Sequence, residues 1–153
     1  MERIADHQKK ETMVSQKPFS VFLVDDDESY LSALGFRLMK DNNKNHQTKI
    51  YCFTTGEECI KNLNQDPSVI ILDYYLNAAD PDAMSGLETL RQIKRIKPHV
   101  PVVVLSSQGD IRIALDTFEE GAYTYIVKDK QALFSIEKII NSFFTLVKFW
   151  GPY

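Results

Sequence analysis

The sequence predicts a doubly wound α/β domain, five parallel strands each followed by a helix, with helices on both faces of the sheet. Three observations carry this. Residues 19–24, 68–72 and 102–105 are aliphatic or aromatic runs with little alternation, the pattern of strands buried on both faces. Between such runs lie segments with apolar residues at helical spacing, and strand–helix alternation with right-handed crossovers requires a parallel sheet. Finally, the strands hand over to polar, chemically competent residues at one end: Asp25 after the first, Asp73 after the third, Ser106 after the fourth and Lys128 after residues 125–127. The carboxyl ends of parallel strands are where open α/β sheets place their ligands.

Taken in order, residues 1–17 are polar without an apolar period and are closed by Pro18, so a flexible N-terminal segment is expected, with Met13 a second candidate for the natural start. The domain is expected over 18–147 and a C-terminal tail over 148–153. Residues 29–40 carry Tyr30, Leu31, Leu34, Phe36, Leu38 and Met39, an amphipathic helix begun by Asp27 and Glu28, acids at its positive end. Residues 41–46 read as a loop on composition, and 49–53 as the second strand. A short helix follows through Leu63, with Thr54 or Thr55 as its N-cap. After the Asp73 strand comes a loop over 74–85, and Gly86 opens a helix with Leu87, Leu90, Ile93 and Ile96 at helical spacing. Pro98 and Pro101 bracket the turn into the fourth strand. Residues 110–120 form a helix stopped by Gly121, residues 122–127 the last strand, and 131–149 the closing helix, with Leu133, Ile136, Ile139, Ile140, Phe143 and Val147 on one face.

The bulk numbers exclude several classes. A chain of 153 residues, 44% hydrophobic and 25% charged, fits one ordinary soluble domain. A net charge of -3 argues against direct nucleic-acid or anionic-membrane binding. No apolar run reaches membrane-spanning length and nothing resembles a signal peptide, so a cytoplasmic protein is expected. Cys52 and Cys59 are too few for a disulfide scaffold or a zinc site and are read as reduced thiols.

Carboxylates converging at strand ends repel one another and call for a cation. Oxygen ligands without His or Cys favour magnesium, or manganese as a similar ion. With a lysine and a serine hydroxyl beside them, the set suits a tetrahedral phosphoryl group, and Asp73 is a natural nucleophile that would form an aspartyl-phosphate.

In order and spacing, Val24-Asp25-Asp26, Ile71-Leu72-Asp73, Met84-Ser85-Gly86-Leu87, Leu105-Ser106-Ser107 and the run from Gly121 to Lys128 resemble the signature of response-regulator receiver domains of two-component signalling, from about residue 19 to 144. The resemblance implies a flavodoxin-like sheet of strand order 2-1-3-4-5. It implies Asp73 as the phosphoacceptor, loaded from a sensor histidine kinase or phosphotransfer protein, and Asp26 as a direct magnesium ligand beside Asp73. Asp25 would act through water, and the backbone carbonyl of Tyr75 would be the third protein ligand. Ser106 would be the switch hydroxyl and Lys128 the phosphoryl-binding lysine. Tyr125 would be the aromatic that carries the state to the face of the fourth helix, fifth strand and fifth helix, there to change a downstream protein target or a homodimer. Tyr75 and Gln108 stand where the family tunes the rate of water attack, with Tyr75 expected to shield the phosphoryl group. Ser107 is small enough to leave access to Lys128. Such a protein is a signalling switch, an enzyme only toward its own phosphoryl group.

The chain departs from the family in two places. Asp129 replaces the usual proline after Lys128, so either a trans bond with a shifted loop or a strained cis bond is expected. The loop after Asp73 is lengthened by residues 77–83, which add acids beside the site. Phe144, Leu146, Phe149, Trp150 and Tyr153 carry more apolar surface than one helix face buries, so the tail is expected either to fold back or to offer a partner surface; it lies where linkers to output domains begin. Two other readings compete: a degenerate receiver that binds partners without phosphorylation, and a haloacid-dehalogenase-type phosphatase suggested by Asp25-x-Asp27.

Overall fold

The computed structural model describes residues 17–42 and 48–151. The flexible segment expected over 1–17 lies outside the described residues except for Lys17, as do residues 43–46 of the expected loop and Tyr153. Strands β1 (Ser20–Val24), β2 (Lys49–Phe53), β3 (Val69–Asp73), β4 (Val102–Ser106) and β5 (Thr124–Val127) alternate with helices α1 (Glu28–Asn42), α2 (Gly56–Lys61), α3 (Gly86–Ile96), α4 (Ile111–Glu119) and α5 (Ala132–Trp150). The strands form one parallel sheet in the order β2-β1-β3-β4-β5, the order the receiver resemblance implies.

Side chains on a strand point alternately to its two faces, and here both faces are apolar. Val21, Leu23, Val69, Ile71, Val103 and Leu105 pack with Leu31, Leu34 and Leu38 of α1 and Ile136, Ile140 and Phe143 of α5. Phe22, Val24, Ile70, Leu72, Val102 and Val104 pack on the other face with Cys59 of α2 and Leu90 and Ile93 of α3. Every residue of β1, β3 and β4 is buried. Each large apolar side chain removed from water there contributes about 1.5–3 kcal/mol, and this two-sided burial is why these runs lack polar alternation.

Local chemistry sets the helix starts. The Asp27 carboxylate accepts the N–H groups of Ser29 and Tyr30 and caps α1. Thr55 caps α2 by accepting the N–H of Glu58. Ser85 and Glu88 exchange hydrogen bonds in a capping box at α3, and Asp110 caps α4. The expected boundaries shift in four places. Asp41 and Asn42 continue α1, and α2 stops at Lys61, followed by a 3₁₀ turn over Leu63–Gln65 and Asp66 at φ 52°. β5 starts at Thr124, because Gly121 at φ 91° and Ala122 are used in turning off α4. α5 runs on to Trp150 without folding back: Phe144 stacks edge-on against Phe19, while Phe149 and Trp150 stay 72% and 85% exposed.

The register brings the chemistry together. Val24 pairs with Leu72, which sets Asp25 and Asp73 side by side just beyond. Ser106 pairs with Val127, and the N–H of Lys128 extends that ladder to the Ser106 carbonyl at 2.8 Å.

Candidate functional site

Asp25 and Asp73 are 2% and 4% exposed, and Ser106 is fully buried. Asp26 is half-buried. One carboxylate oxygen from each of Asp25, Asp26 and Asp73 lies within 4.8 Å of the others. The Lys128 ammonium sits among them, 2.5 Å from Asp25 Oδ2 and 3.2 Å from Asp73 Oδ1. The other oxygen of Asp25 accepts the N–H of Asp27 at 3.0 Å.

Burial pushes the Asp73 carboxyl up to about 6, and the neighbouring Asp25 charge adds to the rise while Lys128 opposes it. Burial likewise raises Asp25, against the pull of its Lys128 hydrogen bond. Burial alone would lower the Lys128 ammonium, but its contacts with Asp25 and Asp73 outweigh that and hold it above its ordinary value. Two raised carboxyls with only one cation between them mark a cluster that one lysine does not neutralise. The donor set, one oxygen each from Asp25, Asp26 and Asp73, therefore fits a hard divalent cation such as magnesium.

The position after Lys128 is settled: there is no cis peptide bond among the described residues, so the Lys128–Asp129 bond is trans. Asp129 serves as a turn residue instead. Its N–H donates to the Val127 carbonyl, its carboxylate accepts the N–H of Gln131 and its carbonyl that of Ala132, which starts α5.

The loops after β3 and β4 carry Tyr75 and Gln108, and β5 carries Tyr125. The Tyr75 hydroxyl donates to Gln108 Oε1 at 3.2 Å, and the Tyr125 hydroxyl donates to the Gln108 carbonyl. Gln108 in turn donates its N–H to Ser106 Oγ at 3.2 Å. Four residues singled out from sequence thus form one hydrogen-bonded chain from β3 to β5. The Tyr75 carbonyl accepts the N–H of Ala78, closing a turn in the lengthened loop. Gly86 fixes the far end of that loop: a Cβ there would lie 2.3 Å from the Asp73 carbonyl oxygen and 2.5 Å from that of Tyr74, and the Gly86 N–H donates to Tyr74.

Two contacts were not expected. The lengthened loop reaches over the cluster, and the Ala79 N–H donates to Asp26 Oδ2 at 3.2 Å. Tyr30, in the first turn of α1, places its ring 4.4 Å from the Lys128 ammonium. A rule that looks at strand ends does not find a helix residue; the available signal was Tyr30's place three residues after the Asp27 cap, on the turn that leaves the acidic cluster.

Residues 21–140 match the response regulator receiver domain family. The transcriptional regulatory protein GlrR of Escherichia coli (strain K12) is 28% identical over 123 residues, 79% of this chain and 26% of that protein. A putative NtrX-like response regulator of Rickettsia felis is 36% identical over 109 residues, 71% of this chain and 21% of that protein. The chain thus spans about a quarter of the length of these curated relatives. Among solved structures, a CheY-like response regulator receiver domain protein from Methanospirillum hungatei JF-1 superposes with a TM-score of 0.71 at 20% identity, covering 86% of this chain and 98% of that one.

Proposed function

This chain belongs to the response regulator receiver domain family, and from that premise we propose that it accepts a phosphoryl group on Asp73 and uses it to change what its α4–β5–α5 face binds. The observation that carries the reading is the Lys128 ammonium held between Asp25 and Asp73 inside a cluster of three carboxylates. A bare acidic pocket would only collect cations; a lysine shared between the nucleophile and its neighbour is ready to turn to an arriving anion.

In the proposed reaction an Asp73 oxygen forms a bond to phosphorus as the phosphorus–nitrogen bond of a kinase or phosphotransfer phosphohistidine breaks, and the imidazole leaves. Magnesium, which Asp26, Asp73 and the Tyr75 carbonyl would hold directly and Asp25 through water, would supply charge neutralisation for the phosphoryl oxygens. Lys128 gives up its hold on Asp25 and Asp73 and donates to one phosphoryl oxygen. The Ser106 hydroxyl, which now accepts from Gln108, donates to another. Moving Ser106 disturbs the Gln108 segment and with it the seat of the Tyr125 hydroxyl. That is the route from site to surface. The surface it reaches is apolar: Ile111, Leu115 and Phe118 line α4 and Tyr123 precedes β5, all exposed. A downstream protein or a second copy of the chain is the partner class this suits.

Among the described residues no helix is long and apolar enough to cross a membrane. The family match over residues 21–140 leaves the phosphatase reading without support.

The test is beryllofluoride binding with magnesium, read by fluorine NMR on wild type and Asp73→Asn. Trp150 is a poor reporter, because it ends α5 at the opposite end of the sheet from the site. Saturable, magnesium-dependent binding that Asp73→Asn abolishes is the expected result. Absence of binding in wild type would overturn the reading and favour a phosphorylation-independent interaction module.

A further inference from the structure

Nothing in the family signature quoted above involves Tyr30. Its ring lies 4.4 Å from the Lys128 ammonium, in the first turn of α1, just after the loop that carries Asp25 and Asp26. The residue is half-buried, but its hydroxyl oxygen is buried and has no hydrogen-bond partner among the described residues. The ammonium has three donors, and two of the groups it faces are the carboxylates of Asp25 and Asp73. What holds it laterally is a separate matter. β5 is half-buried along its whole length, and the residue after Lys128 is Asp129 in a trans peptide rather than a ring-locked proline. The strand that leads to Lys128 is therefore less closely packed than β1 and β3, which lead to the aspartates.

An aromatic face attracts a cation without consuming one of its N–H donors. The carboxylates do consume them, and they must be released when a phosphoryl group arrives. Among the described residues, the ring is the contact of the ammonium that need not be given up during that exchange.

We propose that Tyr30 is a positioning residue of the phosphoryl site: its ring is the platform on which the Lys128 ammonium sits while it exchanges Asp25 and Asp73 for the oxygens of the incoming group. The inference rests on the phosphoryl-binding role given to Lys128 above. It assigns the work to the ring and none to the hydroxyl, so phenylalanine is an adequate substitute and an aliphatic residue is not.

The experiment compares wild type with Tyr30→Phe, Tyr30→Leu and Tyr30→Met in the full chain, with circular dichroism to verify folding. Two affinities are measured on each protein: beryllofluoride at saturating magnesium, by fluorine NMR, and magnesium alone, by tyrosine fluorescence. Tyr30→Leu is expected to weaken beryllofluoride binding by about threefold to thirtyfold, the span of one cation–π contact in a partly desolvated site. Tyr30→Met should behave the same way and takes the place of Tyr30→Leu should that variant not fold. Tyr30→Phe should remain within about twofold of wild type, and magnesium affinity should stay within about twofold in every variant.

The split between the two affinities identifies the cause. A general disturbance of the turn between β1 and α1 would move Asp25 and Asp26 and weaken magnesium in step. Parallel loss of both affinities, wild-type beryllofluoride binding by the aliphatic variants, or a loss in Tyr30→Phe equal to that in Tyr30→Leu would each overturn the proposal. Absence of beryllofluoride binding in wild type would overturn the phosphoacceptor reading first and the platform with it, an outcome distinct from normal wild-type binding that Tyr30 does not affect.

Discussion

Strands β1, β3 and β4 are buried at every residue, whereas every residue of β5 is half-buried and β2 is buried only at Phe53. The site draws on both kinds of strand. Asp25 and Asp73 follow or end central strands and Ser106 closes a third, while Lys128 and Tyr125 come from the edge. The helix beside that edge is loosely seated too, since Thr117 is the only buried residue of α4. The difference teaches where rigidity is needed. Carboxylates that must hold a cation against their mutual repulsion stand on the part of the sheet that is most costly to move. Groups proposed to change partners, Lys128 and Tyr125, stand where a shift disturbs less packing.

The largest expected effect tests that contrast directly. Leu72→Ala on β3 leaves a cavity beside Asp73 and should cost about 2–5 kcal/mol of stability. Ile126→Ala on half-buried β5 should cost about half as much. Urea unfolding measures both, and equal losses would remove the basis for calling β5 the adaptable edge.

Next in size is the pH dependence of the metal-free protein. The Asp73 carboxyl, ordinarily at 3.8, stands at about 6 in the folded chain, so between those values the folded state binds more protons than the unfolded one. Stability must then fall as pH rises through that window. A shift of that size corresponds to about 3 kcal/mol at neutral pH; the raised Asp25 acts in the same direction. Lys128 is raised too, but for a base this favours the charged form, so its contribution to stability is fully present throughout this range and is lost only in strong alkali. Unfolding of wild type and Asp73→Asn in a chelator should therefore show the wild type losing ground from pH 4.5 to 7. Added magnesium should restore stability at pH 7 and do little at pH 4.5. Parallel pH profiles for the two proteins would mean that Asp73 carries no such penalty.

Gly86→Ala should come third. The added Cβ meets backbone oxygens of Asp73 and Tyr74, which cannot yield as a flexible side chain does, and overpacking of this kind costs about 1–3 kcal/mol. Because the strained atom is the carbonyl of Asp73 itself, magnesium affinity should drop more than it does in a surface control such as Lys138→Ala. A stable Gly86→Ala protein with wild-type magnesium affinity would show that the end of β3 is softer than its burial suggests.

Much of this was legible in the sequence, for physical reasons. The two-faced apolar runs identify β1, β3 and β4, and the strand-end rule locates Asp25, Asp73, Ser106 and Lys128. Gly86 is readable as the start of α3, because Ser85 and Glu88 have the capping-box spacing. Asp41 and Asn42 are not readable as helix, since their composition is that of a loop. The loop contact to Asp26 leaves no trace either: its donor is the backbone N–H of Ala79, and a backbone group has no residue type to signal it. Tyr30 is intermediate, visible as a helix aromatic but not as a partner for a lysine almost a hundred residues away. Contacts made by strands are written in composition; those made by loops are not.

The smallest effect concerns the junction between the central and edge strands. Gln108 lies on the loop after β4, accepting the Tyr75 hydroxyl on its side chain and the Tyr125 hydroxyl on its carbonyl. Tyr75 has two ways to slow water attack on a phosphorylated Asp73: the bulk of its ring, packed edge-on against Tyr74, and the hydroxyl latch that holds it to Gln108. Tyr75→Phe removes only the latch, one neutral hydrogen bond worth about 0.5–1.5 kcal/mol, so dephosphorylation should speed up by no more than about tenfold. Tyr75→Asn removes ring and latch together and should be faster still. If Tyr75→Phe matches wild type while Tyr75→Asn is fast, the ring alone is the shield. If both variants keep the wild-type lifetime, Tyr75 shields nothing, and the chain of bonds through Gln108 serves Tyr125 at the edge rather than Asp73 at the centre.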